Sequence, residues 1–114
     1  MELDDPLIAR YVEKLRERGR AELIDKVIPN SSLLRTIADM SGRPASEVVE
    51  ELARLLRERL DPESATAAYS EIFGASDAER ALSSLARHLA FWYLKIAEQL
   101  GIIRYSDAAP SRAD

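Results

Sequence analysis

Residues 76–101 read SDAERALSSLARHLAFWYLKIAEQLG, and their periodicity decides the fold class. Ser76 and Glu79 have the spacing of a capping box, in which a hydroxyl at the helix start and a carboxylate three residues on satisfy otherwise unpaired backbone N–H groups. Behind that start, Ala78, Ala81, Leu82, Leu85, Leu89, Trp92, Ile96 and Leu100 recur every three or four residues and fall near one line of a helical wheel. Gly101 supplies the stop, because glycine readily enters the left-handed backbone region that closes many helices. The spacing predicts one long helix from about Asp77 to Leu100.

Phe91 and Leu94 lie off that line, so the run Leu89-Ala90-Phe91-Trp92-Tyr93-Leu94 makes the helix apolar on more than one side. Such a helix is either central to its bundle or covered by a partner. Aromatic residues are enriched where partners bind. Phe91, Leu94 and Tyr93 are therefore the candidate protein interface, facing another protein or a second copy of this chain as a homodimer.

The segments upstream repeat the helical period between Gly and Pro signals. Asp61-Pro62-Glu63 opens a helix that carries Ala65, Ala68, Tyr69, Ile72 and Phe73 and closes at Gly74. Pro44 opens another, with Val48, Val49, Leu52, Leu55, Leu56 and Leu60 on one side and Glu47, Glu50, Glu51, Arg54, Arg57 and Glu58 on the other. Asn30, Ser31 or Ser32 caps the one before it, whose stripe is Leu33, Leu34, Ile37 and Ala38 and whose stop is Gly42. Asp4 or Asp5, with Pro6 behind it, starts a first helix bearing Ile8, Tyr11, Val12 and Leu15. Gly19 breaks its phase, and Leu23, Ile24, Val27 and Ile28 form a new stripe that ends at Pro29.

Period-two alternation and Asn-Gly or Asp-Gly hairpin signals are missing throughout. The expected fold is all-α: a single-domain bundle of about five to six helices over residues 1–103, ending in the long helix. Ile102 and Ile103 are expected to fold back as apolar plugs, and residues 104–114, rich in Ser, Ala and Asp, to form a flexible tail.

Composition narrows the function classes. With 114 residues, 46% of them hydrophobic, the chain has the material for one globular core. A net charge of -4 gives no domain-wide basic footprint for nucleic acid. Without cysteine there are no disulfides, thiolate metal sites or cysteine nucleophiles. The start, Met1-Glu2-Leu3-Asp4-Asp5, is acidic where a secretory signal is basic and then apolar, and no apolar run approaches the ~20 residues of a membrane span. A cytoplasmic protein is expected.

Catalytic, cofactor and metal constellations are not recognisable. His88 is the single histidine, and Ser84 stands one turn earlier on the same helix. A general base needs a positioned nucleophile, and the paired N–H groups of a helix interior offer a developing oxyanion no donor. His88 is read as a packed helix residue.

One further stretch carries a motif. From Ile37 to Leu52 the chain places small Ala38 in a first helix, Gly42 in the turn, and Val48 and Leu52 on the inner side of a second helix. This resembles a helix-turn-helix unit, which implies a DNA-binding regulator; Arg43 stands where that motif favours an apolar residue. The same stretch is similar to the paired helices of ribbon-helix-helix repressors. Arg10, Lys14, Arg16, Arg18 and Arg20 cluster on the first helix, and with Arg43 they are the candidate contacts for nucleic acid or an acidic partner. The expected function is a non-enzymatic helical protein-interaction module acting through the last helix. The alternative is a helix-turn-helix-like regulator that dimerises through that helix.

Overall fold

Side-chain caps set most of the helix starts in the computed structural model, which describes residues 5–28 and 30–105. Helix α1 (Pro6–Glu17) begins at Asp5, whose Oδ1 accepts the N–H groups of Leu7 at 2.8 Å and Ile8 at 3.2 Å. A short 3-10 helix follows over Ala21–Lys26. Helix α2 (Ser31–Asp39) is capped by Asn30, whose Oδ1 accepts from Leu33 N at 3.2 Å while its Nδ2 donates to Asp25 O at 2.8 Å. Helix α3 (Ala45–Arg57) follows Pro44, helix α4 (Pro62–Phe73) follows Asp61, and helix α5 (Ala78–Gln99) follows Asp77.

The start of α5 differs from the expected capping box. Asp77, not Ser76, is the cap, and its Oδ1 accepts the Arg80 N–H at 2.8 Å. A carboxylate at that position also complements the positive end of the helix dipole, which a neutral hydroxyl does only weakly.

All described secondary structure is helical, as the periodicity predicts. Helix α5 is the central element: α1, α2, α3 and α4 all pack on it, and α1 also packs along α4. Leu85, Leu89 and Tyr93 of α5 meet Leu52 and Leu56 of α3 and Ile8, Tyr11 and Leu15 of α1 in one continuous core. Each such side chain contributes about 1.5–3 kcal/mol by leaving water.

The buried side of α5 is rotated by roughly 50° from the line drawn through its largest apolar residues. Leu100 is 63% exposed, and Trp92, Leu82 and Ile96 are half-buried. Ala86, Ala90, Tyr93, Leu94 and Ala97 are buried in their place. The inward face of α5 therefore runs through Ala86, Ala90 and Ala97 as well as through the bulky Leu85, Leu89 and Tyr93.

The end of α5 is closed by backbone geometry. Gly101, at φ +72°, donates to Glu98 O, and Ile102 N–H reaches back to Ala97 O at 2.8 Å. Ile103 is buried as expected. The chain then crosses the α2–α3 turn: Gly42, at φ +96°, donates its N–H to Arg104 O, and Ser41 Oγ accepts Arg104 N–H at 2.8 Å. Arg104 and Tyr105, read from sequence as the start of the tail, are therefore docked. Asp4, Pro29 and residues 106–114 lie outside the described residues. Among the described residues no helix is long and apolar enough to cross a membrane.

Two buried tyrosines tie distant segments together. Tyr11 Oη accepts the Asp61 N–H at 2.9 Å, and burial, the largest cause, pushes its pKa up to about 12. Tyr93 Oη donates to Val27 O, and burial raises its pKa further still. Val27 and Ile28 enter the core at this point, whereas Leu23 and Ile24 of the 3-10 helix are only half-buried.

Candidate functional site

Three exposed residues of α5, Arg87, Phe91 and Lys95, stand at i, i+4 and i+8, so a helix carries them as a ridge about 12 Å long. Phe91 is 53% exposed, and Phe73 at the end of α4 is similarly exposed but has no such flanking cations on its helix. The Arg87 guanidinium lies 5.7 Å from the centre of the Phe91 ring, within cation–π range. Among the described residues neither Arg87 nor Lys95 is within ion-pair distance of a carboxylate.

A cleft flanks the ridge on each side. The larger, about 670 Å³, lies between α5 and the start of α1, where Asp5, Pro6, Ser84, His88 and Trp92 complete its walls. The smaller, about 280 Å³, lies toward α3 and is walled by Ala45, Val49, Leu94, Glu98 and Tyr105. Phe91 and Lys95 border both.

The wall of the larger cleft is fixed by Asp5. Its Oδ2 is 2.7 Å from His88 Nδ1, while its other oxygen caps α1, so one carboxylate pins the start of α1 to α5. No local spacing could have signalled this pair, because 83 residues separate the partners. Ser84 borders the same cleft, yet among the described residues no hydrogen bond joins it to His88. The smaller cleft is bounded by Tyr105, whose Oη donates to Glu98 Oε2 at 2.8 Å. Burial, and then the Glu98 carboxylate, push the Tyr105 phenol well above its ordinary pKa.

Of the three residues expected at the interface, only Phe91 faces solvent. Tyr93 and Leu94 are 1% and 3% exposed. The rotation of the core toward the alanines turns both inward, and Tyr93 is also held by its bond to Val27 O.

Of the basic cluster expected on the first helix, Arg10, Lys14 and Arg16 lie on α1 while Arg18 and Arg20 follow its end at Glu17, and the cluster is largely engaged within the molecule. Arg10 lies 3.1 Å from Glu13 and 3.3 Å from Glu71, and Lys14 pairs with Glu71 and Glu17. Arg18 lies 3.3 Å from Glu63, and Arg20 lies 2.8 Å from the buried carboxylate of Asp61. Arg16 alone of the five makes no ion pair among the described residues. Arg43 sits 3.8 Å from Glu47 on the next turn.

The helix-turn-helix-like stretch is present as α2, a turn and α3, but each helix rests on α5 rather than broadly on the other. The turn is covered by residue 104, and α3 presents Glu47, Glu50 and Glu51 outward with Arg54 held by Glu51 at 2.5 Å. Among the described residues no group of three or more His, Asp or Glu side chains is placed to hold a metal ion. Compared with protein-family models, characterised proteins and solved structures, the chain gives no match.

Proposed function

We propose that this protein is a non-enzymatic helical interaction module that docks another protein on the Arg87, Phe91 and Lys95 ridge of α5. The observation that carries the reading is the half-exposed Phe91, set between two cations that have no carboxylate partner among the described residues and bordered by a cleft on each side. An aromatic residue raised above clefts, with an arginine beside it, has the composition of an interface hot spot.

Charge separates this reading from its relatives. In a two-fold homodimer with Phe91 on the axis and α5 crossing its copy antiparallel, Arg87 would lie against the other copy's Lys95. Such like-charge contacts cost several kcal/mol at an interface. The ridge therefore favours a different chain over a second copy. The regulator reading has weaker support, because an outward α3 face bearing Glu47, Glu50 and Glu51 would repel phosphates that DNA-binding proteins neutralise.

The test is affinity capture from native extract with and without nuclease treatment, with the wild-type protein and Phe91→Glu as parallel baits. The expected result is a protein retained by the wild type and lost with the variant. Retention by both baits, or retention that vanishes on nuclease treatment, overturns the proposal.

A further inference from the structure

Resting on the reading above, we infer that the partner presents an acidic, amphipathic α-helix whose two carboxylates lie seven residues apart with two adjacent apolar residues midway between them. The sequence form is Glu-x-x-Leu-Leu-x-x-Glu, with Asp in place of Glu and other aliphatic residues in place of Leu equally suited.

The spacing follows from the ridge. Arg87 and Lys95 are eight residues apart on α5, a rise of about 12 Å, and seven residues of a partner helix rise about 10.5 Å. The long, flexible stems of Arg and Lys cover the difference. Residues at i and i+7 share one line of the partner helix, while i+3 and i+4 diverge to either side of it. Those two side chains would straddle Phe91, one entering the cleft toward α1 and the other the cleft toward α3. The pattern is nearly palindromic, so both directions of the partner helix satisfy it.

The charges on the rim fit the same occupant. Asp5 and Glu98 are the carboxylates bordering the two clefts, and both are engaged, Asp5 by His88 and the α1 amides, Glu98 by Tyr105. Their presence opposes a continuous polyanion such as DNA or RNA, which would run along the whole face. Two isolated carboxylates set over Arg87 and Lys95 avoid them.

The probe is a fluorescein-labelled alanine-based helical peptide carrying Glu-x-x-Leu-Leu-x-x-Glu, titrated with the full-length protein by fluorescence anisotropy. Its controls are a peptide with both Glu moved two positions and one with both Glu replaced by Lys. Wild-type protein should bind the first at least about tenfold tighter than either control, a difference of ~1.4 kcal/mol. Arg87→Glu/Lys95→Glu should reverse the preference toward the Lys peptide, and Phe91→Ala should weaken binding of the Glu peptide. Both sets of substitutions are on exposed positions, and thermal melts confirm folding.

Equal binding of the Glu peptide and the shifted peptide overturns the spacing, as does an unchanged preference in the charge-reversed protein. If the extract still yields a Phe91-dependent protein, only the helix pattern fails; if it yields none and no peptide binds, the interaction reading fails with it. A Phe91-dependent dimer in sedimentation, or duplex DNA that binds wild type and not the charge-reversed protein, overturns the proposal in favour of that occupant.

Discussion

Along α1 and its C-terminal cap, Arg10, Lys14 and Arg18 stand against carboxylates of α4, whereas along α5, Arg87 and Lys95 stand against none among the described residues. The first set has the higher density of positive charge and was the more prominent in the sequence. It nevertheless serves mainly to hold two helices together. What sets the proposed docking ridge apart is an exposed aromatic ring beside cations that have no carboxylate partner among the described residues.

That contrast can be broken by substitution, and the largest effect belongs at the Asp61 end of the α1–α4 seam. Asp61 is 7% exposed, accepts from Arg20, and caps α4 through Ser64 N and Oγ at 3.2 and 2.6 Å. Asp61→Ala should cost about 3 kcal/mol in urea denaturation, summing a lost cap and buried donors left unmatched. Next comes the residue beneath the ridge: Tyr93→Phe strands the Val27 carbonyl and should cost about 1.5 kcal/mol by the same measurement.

A smaller effect depends on pH. The Lys14 ammonium beside Glu71 holds that carboxyl below its usual pKa, so the pair stabilises the fold above the ordinary Glu value of about 4.3. The contribution is lost as pH falls through the lower folded value. Glu71→Gln should therefore be less stable than wild type at pH 7, with the gap closing below pH ~4. The smallest effect is expected on the ridge itself, where Arg87→Glu/Lys95→Glu should alter stability by less than about 0.5 kcal/mol while changing partner choice. A larger loss would mean that those cations have an internal role after all.

The helical period and the Gly and Pro signals made the element order readable from residues alone, because they are local. Phase around α5 was harder to read. A wheel weighted toward bulky residues points at Trp92 and Leu100, while the molecule also buries Ala86, Ala90 and Ala97, which such a weighting counts for little. That error carried Tyr93 and Leu94 onto the surface and left Phe91 as the one member of the expected interface in place. The Asp5 and His88 pair, and the ion pairs between α1 and α4, depend on how helices cross, which no periodicity encodes. The Ser, Ala and Asp-rich stretch that follows Tyr105 reads as tail, whereas its hydroxyl partner Glu98 is brought beside it only once α5 has ended and the chain has turned back.

The bonds from Ser41 and Gly42 of the α2–α3 turn to Arg104 join positions 63 and 62 residues apart. They close a loop that contains α3, α4 and α5, so residues 103–105 are tied to the α2–α3 turn. An amide whose acceptor is Arg104 O exchanges with solvent whenever that segment lifts, without global unfolding. The Gly42 amide is thus a native gauge of end-undocking: its hydrogen-exchange rate reads the free energy with which residues 103–105 are shackled to the bundle.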